Sequence, residues 1–390
     1  MNEIIQEDLE SIVTVLGEGA RVFEDKTVLI TGGAGFLGSY FVGVLHLLNE
    51  KVLKKPCRIL VLDNFITGSR GGLTHQIQSS HLAKYEVDIT KTLPHVVAHL
   101  MSMRETPTIR RPPTSVLNQE LQDLFFASTP IDYIIHAAGL ASPVFYRKYP
   151  LETIDVTISG TKNLMELACH KNTKSFLLFS SSEIYGDPDP KYVPTPETYR
   201  GNVSSIGPRA CYDESKRLAE TIGMVYYEFY GVPVKIVRPF NVYGPGMKPD
   251  DRRVIPAFLS SALSGNPLPV HDRGNQTRTF CYISDAVTGF LQVLISKKGG
   301  EVYNVGNDQE EITMKDLARM VKQIMPEQDV QMKLIEYPAG YPADEPQRRC
   351  PDLEKIRYEL GYHTKINLET GLKRTLKWYQ DSFSPTSFEV

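Results

Sequence analysis

The chain is 390 residues long, 41% apolar and 23% charged, the balance of an ordinary soluble globule with one large domain or two coupled ones. Its formal net charge of −3 removes the electrostatic case for nucleic acid or an anionic membrane as the main partner, so any phosphate must be bound locally. The five cysteines, Cys57, Cys169, Cys211, Cys281 and Cys350, are scattered and form no CxxC pair; no metal site is expected, and a reduced, cytoplasmic setting is.

In chain order, residues 1–25 read as an N-terminal helical extension, with Ile4, Ile5, Leu9, Ile12, Val13 and Leu16 at helical spacing. Acids at Glu3, Glu7, Asp8, Glu10 and Glu18 are unlike a basic, apolar leader. YFVGVLHLL is too short to cross a bilayer, so no membrane partner is expected. Short apolar runs then recur with helical segments between them: TVLIT, RILVL, DYIIH, SFLLF and VKIVR. Runs apolar on both faces belong to parallel strands covered by helices on each side, which predicts an α/β fold with a doubly wound parallel sheet. Residues 26–242 are read as mainly a dinucleotide-binding domain carrying an exposed insertion at about 92–128. Beyond Arg238 the pattern gives way to Pro- and Gly-rich loops such as PFNVYGPGM. Residues 243–382 are therefore read as mainly a smaller, discontinuous C-terminal substrate-binding domain, with some elements returning to the core, and 383–390 as a tail.

TVLITGGAGFLGSYFVGVL sets Gly32, Gly35 and Gly38 between a strand and a helix. Glycines there permit a tight turn and close backbone approach, and the helix N-terminus, with Phe36 and Leu37, offers free N–H groups to a pyrophosphate, the Rossmann arrangement. Asp63, 25 residues past Gly38 and followed by Asn64, ends the next strand. A carboxylate there accepts from both ribose hydroxyls and repels a 2′-phosphate, so the expected cofactor is NAD rather than NADP. Asp88 and Ile89 end the following strand, where the acid reaches the adenine, and Ala137 and Ala138 in HAAG leave room for the cofactor to lie flat. His136 is read as a satisfied structural histidine.

Tyr212 and Lys216 stand four apart in CYDESKRLAETIGMVYYEFYG, on one side of a helix. A phenol titrates at about 10 in water, but a neighbouring ammonium favours the phenolate and makes a usable proton acceptor. With the glycine turn and the hydroxyl-rich strand end SSSEIYG, the pair points to hydride chemistry at a hydroxyl-bearing carbon.

Taken together, GGAGFLGS, DNFITG, ASPVFY, SSEIYGDP, IGPRACYDESKR, RPFNVYGP, QTRTFCYISD and DEPQRRCPD resemble the extended short-chain dehydrogenase/reductase superfamily of nucleotide-sugar enzymes. Within it the resemblance is greatest to the UDP-glucuronate decarboxylase family, over roughly Lys26 to Gln380. The resemblance implies that Tyr212 takes the sugar 4-hydroxyl proton, that Lys216 lowers the phenol pKa and holds the nicotinamide ribose, and that Ser181 bonds the same oxygen. Pro239 would join them at the cofactor. Glu183 matches a glutamate shared by decarboxylases and 4,6-dehydratases. Where dehydratases carry an aspartate, this chain has Ser182, which disfavours loss of water from C6. What remains is oxidation at C4, loss of the C6 carboxylate as CO2, protonation at C5 and return of the hydride, giving UDP-xylose or a 4-keto pentose.

On the same resemblance the substrate-binding set is Ser142, Tyr146, Ser182, Arg209, Asn241, Arg252, Val254, Arg278 and Arg348. Arg278 is given either the sugar carboxylate or the diphosphate. The segment YPLETIDVTISGT departs from the family form NPIKTIKTNxxGT at Glu152, Asp155 and Thr157, which implies altered substrate preference if either lysine holds an anion. A nucleotide-sugar 4-epimerase is the alternative reading, since it needs the same serine, tyrosine and lysine but no base at Glu183. A 4,6-dehydratase follows, and then an idle NAD-binding scaffold whose partner surfaces would be the N-terminal helix and the insertion. The resemblance also implies a homodimer through the helix near Thr161 to His170 and the helix bearing Tyr212.

Overall fold

The run TVLIT forms β1 (Thr27–Thr31), buried along its whole length, and the other apolar runs follow suit: β2 (Arg58–Asp63), β3 (Leu82–Glu86), β4 (Tyr133–His136), β5 (Ser175–Phe179) and β6 (Val234–Pro239). In this computed structural model the description covers residues 1–91, 129–337, 346–384 and 387. The insertion expected at about 92–128 lies outside the described residues. Among those described, seven parallel strands pair in the order Glu301–Val305, β6, β5, β4, β1, β2, β3. β1 lies between β2 and β4, with Leu29 opposite both Leu60 and Ile134. Only β3, at the edge, is half exposed, as an edge strand with one covered side requires. The strand order reverses direction between β1 and β4, the place where a doubly wound sheet opens a cleft at its carboxyl ends.

Helix α1 (Glu3–Leu16) exists where its apolar spacing places it, with Asn2 capping it by accepting from the Ile4 N–H at 3.0 Å. It is not a free partner surface, however. Leu9 and Ile12 are 1% and 0% exposed, packed in the same core as α2 (Phe36–Lys51) and the Ile283–Ile295 helix. Each such aliphatic side chain contributes about 1.5–3 kcal/mol by leaving water. Buried Asp8 anchors the helix further. It pairs with Arg374 at 2.9 Å and accepts from the Tyr282 and Tyr40 hydroxyls at 3.0 and 3.3 Å. Mean periodicity alone could not reveal this, because an amphipathic stripe shows that one face is covered and not by what.

After β6 the chain makes small sheets that build the other wall. Thr277–Arg278 pairs in parallel with Arg348–Arg349, placing Arg349 opposite Arg278 and Arg348 opposite Thr277. Side chains directly opposite share a face of the sheet, so that register decides which arginines face inward. The strand Glu301–Val305 returns to the main sheet beside β6.

Candidate active site

A cleft of about 820 Å³ opens where β1, β2 and β4 end. Gly32, Gly35, Phe36, Leu37, Gly38, Asp63, Asn64, Asp88, Ile89, Ala137 and Ala138 all line it. Gly32 has φ +71°, and a Cβ there would stand 2.7 Å from the Ala138 Cα; at Gly38 a Cβ would meet the Gly32 carbonyl oxygen at 2.1 Å. Only glycine permits both the turn and the approach. Asp63 accepts from the Ala34 N–H at 2.9 Å on one oxygen and from the Phe65 N–H at 2.8 Å on the other. Each oxygen thus keeps acceptor capacity toward the cleft it lines. Gly35 caps α2 with no side-chain bond, so the first N–H groups of that helix remain for an anion. These residues fit a dinucleotide with an unphosphorylated ribose. Glu152 and Asp155 line the same cleft, so the two departures from the family segment bear on the dinucleotide side and make its wall more acidic.

His136 accounts for its own burial. Its Nδ1 lies 2.8 Å from Thr31 Oγ1 and its Nε2 3.1 Å from Thr161 Oγ1, and burial pushes its pKa down to about 3. Neutral and doubly bonded, it holds β1, β4 and the Pro150–Lys171 helix together.

Lys216 lies beside the inner end of the cleft, its Nζ 3.5 Å from where a Cβ on the cleft residue Gly139 would stand. Tyr212 and Lys216 project from the Ala210–Tyr230 helix. The Lys216 ammonium donates to the Phe179 carbonyl at 2.8 Å and stands 5.8 Å from the Tyr212 ring centroid. Burial pushes Lys216 down to about 8. Burial pushes the Tyr212 phenol up to about 12, opposed by a hydrogen bond with Ser181 and by the Arg253 charge. Ser181 stands at the end of β5, where its Oγ accepts from the Glu183 N–H at 3.2 Å and starts the 3-10 turn Ser182–Tyr185. Tyr146 covers the pair, stacked on Tyr212 at 5.3 Å with the rings 18° apart. The strand end and one helix face thus bring Ser181, Tyr212 and Lys216 to one place.

Glu183 follows in the same turn and is gripped from two sides. Arg209 Nη2 bonds one carboxylate oxygen, and Arg349 donates to both at 2.7 and 2.8 Å. Burial alone would raise this carboxyl, but the charges of Arg209, Arg349 and Arg278 outweigh it and hold the pKa down at about 2. It is an ionised acceptor at every physiological pH, not a base poised near neutrality.

The remaining substrate residues divide. Ser142 lines the cleft with a buried Oγ that has no hydrogen-bond partner among the described residues, and Ser182 is buried beside Ser181. Arg278 is 6% exposed and faces Glu183 electrostatically. Asn241, at φ +40°, donates to the Thr279 carbonyl at 2.8 Å and accepts from Arg349 at 3.4 Å, so it positions the arginine loop. Val254 begins the Val254–Leu263 helix, half-buried, and Pro239 closes β6 opposite Val305.

Two expected arginines are displaced by one residue. Arg252 is exposed, while Arg253 lines the cleft and pairs with Asp251 at 2.6 Å. Arg348 is turned out to Glu311 at 2.6 Å, and Arg349 takes the inward place on Glu183. In an arginine pair at a strand, alternation sends one side chain to each face, and only the register tells which. Arg348→Ala is expected to change kcat/KM by less than about twofold and Arg349→Ala to lower it by at least about tenfold, because only the second leaves a buried carboxylate half-paired. Steady-state kinetics on the two variants check this.

The chain belongs to the NAD dependent epimerase/dehydratase family, whose model matches residues 28–306. Among its relatives is UDP-glucuronic acid decarboxylase 6 of Arabidopsis thaliana, 37% identical over 345 residues, covering 88% of this chain and 86% of the relative. UDP-glucuronic acid decarboxylase 1 of Xenopus tropicalis is 35% identical and covers 91% of this chain and 72% of the relative. Among solved structures, a dTDP-glucose 4,6-dehydratase from Streptomyces venezuelae with NAD bound superposes with a TM-score of 0.73 at 24% identity, covering 91% of this chain and 97% of that one. No described helix is long and apolar enough to cross a membrane.

Proposed function

We propose that the protein is an NAD-dependent nucleotide-sugar decarboxylase that converts UDP-glucuronic acid through a UDP-4-keto intermediate to UDP-xylose. The observation that carries this is the Glu183, Arg209 and Arg349 cluster set directly beside Ser181, Tyr212 and Lys216. The relatives named as UDP-glucuronic acid decarboxylases support it at 34–37% identity.

NAD, when bound, supplies the acceptor for the C4 hydride and later its return. Tyr212 takes the 4-hydroxyl proton and gives it back to O4 when C4 is reduced again, with the Ser181 hydroxyl fixing that oxygen and the Lys216 ammonium favouring the phenolate. Oxidation at C4 makes the sugar a β-keto acid, so breaking C5–C6 leaves its electron pair in an enolate as CO2 departs, and the enolate takes a proton from water at C5 before C4 is reduced again. Arg278 and Arg349 meet the sugar carboxylate and Ser182 donates to it. Ser182, being no acid, does not protonate a leaving group at C6. Glu183 keeps the Arg209 and Arg349 guanidinium groups in place.

UDP-glucuronic acid labelled with carbon-13 at C6, incubated with protein and NAD, is expected to yield labelled CO2 and a pentose by proton NMR. UDP-galacturonic acid without CO2 would make the protein a 4-epimerase instead, and this reading would fail.

The protein is further proposed to be cytoplasmic and a homodimer. Leu218, Val225 and Phe229 on the Tyr212 helix are 48%, 40% and 60% exposed, and Leu151 on the adjoining Pro150–Lys171 helix is 71% exposed. Two packed helices with bare apolar residues fit a self-complementary interface. A single-chain mass in size-exclusion with light scattering would refute the dimer.

A further inference from the structure

Arg209 is shared between two buried carboxyl groups. Its Nη2 is bonded to Glu183, and its Nε lies 3.5 Å from Asp213 Oδ2. Asp213 is 5% exposed, and its Oδ1 has no hydrogen-bond partner among the described residues. An unpaired buried carboxylate oxygen is costly, and a neutral acid avoids most of that cost. Beside it lies a second cavity of about 240 Å³, lined by Asp213, Arg209, Asp187, Asn202 and Ser204, and the last two are exposed. The cavity therefore connects the buried group with solvent.

Among the described residues, the titratable and charged groups that interact with Asp213 are Arg209, Arg349, Glu183 and its chain neighbours Cys211 and Tyr212, both of whose pKa values its charge pushes up. Arg209 and Arg349 favour its ionised form, and the Glu183 carboxylate opposes it. Asp187 borders the cavity and accepts from the Gln347 N–H at 2.9 Å. Arg217, one turn on in the same helix, is turned to the Ile184 and Arg200 carbonyls. Burial comes first in the balance, followed by the Glu183 charge, and together they push Asp213 up to about 7. Of the two carboxyls that share Arg209, Glu183 is held charged by its guanidinium partners, whereas burial and the Glu183 charge favour the neutral form of Asp213.

We propose that Asp213 is a positioning residue of the catalytic cluster: as a neutral acid it leaves Arg209 to Glu183, and as a carboxylate it draws the same guanidinium toward itself. Its proton, exchanged through the adjoining cavity, sets how firmly Glu183 is held. This rests on Glu183 belonging to the reacting site. The active form is the one with Asp213 protonated, so turnover falls as the pH rises through its ionisation.

The test compares full-length wild type with Asp213→Asn and Asp213→Glu, checked for folding by circular dichroism and NAD retention. The ratio of kcat at pH 6 to kcat at pH 8 is expected to be at least about threefold larger in wild type than in Asp213→Asn, the difference of one ionisation. Asp213→Glu restores the step with a shifted midpoint. Independently of turnover, carbon-13 NMR of the Asp213 carboxyl and nitrogen-15 NMR of Arg209 Nε should titrate together near neutrality, with the Arg209 change absent in Asp213→Asn. An Asp213 carboxyl that titrates below about pH 5, an Arg209 signal that ignores it, or an Asp213→Asn profile with the wild-type step overturns the proposal. Absence of CO2 from UDP-glucuronic acid would sink the decarboxylase reading alone, since the paired titrations decide the Asp213–Arg209 coupling without turnover.

Discussion

Tyr212→Phe is expected to lower kcat by about a thousandfold or more while leaving NAD bound and the fold intact. The substitution keeps the ring that stacks on Tyr146 at 5.3 Å and removes only the oxygen that shares a hydrogen bond with Ser181. What is lost is the group that takes and returns the C4 hydroxyl proton, and positioned proton transfer contributes about 10²–10⁴ in rate. Rapid kinetics with UDP-glucuronic acid, following NADH absorbance, separates this from a binding defect: the variant should show no NADH burst at unchanged substrate affinity. The pH dependence has a definite sign. In Asp213→Asn, where no carboxyl beside Arg209 can ionise, turnover rises with pH as the phenol, pushed up by burial, ionises, and levels off above about 8 as Lys216, pushed down by burial, loses its proton. A rate that climbed steadily to pH 10 would show that the Lys216 charge does nothing for the phenolate.

Glu183→Gln carries the second large effect, and it acts at a different step. The amide is nearly the same size but neutral, so Arg209 and Arg349 lose the carboxylate that both of them grip. Loss of one partner of a buried ion pair is costed at about 3–5 kcal/mol, largely from the charge left behind. CO2 release is expected to fall by about a hundredfold or more, whereas the first oxidation at C4, which relies on Ser181, Tyr212 and Lys216, persists. The signature is NADH that accumulates without labelled CO2. Equal loss of both signals would mean that Glu183 acts on the proton at O4, and the division of labour proposed for the site would be wrong. Glu183 also bears on acid stability. Its folded pKa of about 2 lies below its ordinary value of 4.5, so its contribution is fully present above 4.5 and is lost as the pH falls toward 2.

Much of the frame is legible in the order of residues. TVLIT, RILVL, SFLLF and VKIVR are apolar on both faces because their strands are covered on both sides, and the pattern needs no tertiary knowledge to read. The edge strand Leu82–Glu86 carries no such run, which is why its signal is weaker. Gly32 and Gly38 are equally local: the backbone turn they make excludes any side chain, and chemistry follows from spacing alone. Tyr212 and Lys216 meet because four residues is one helical turn.

The amino-acid sequence by itself determined the strands of the doubly wound sheet, the dinucleotide turn and the Tyr212–Lys216 pair, since each depends on spacings of a few residues within one element, and the family resemblance added Ser181 from another. Only the tertiary structure decided that α1 is core, that Arg253 and Arg349 rather than Arg252 and Arg348 face inward, and that Glu183 is a clamped anion. Those outcomes depend on which face a loop or a two-residue strand presents to residues more than a hundred positions away, as Arg349 does to Glu183. No local periodicity encodes such a register, because a shift of one residue leaves the pattern equally regular and exchanges inside for outside.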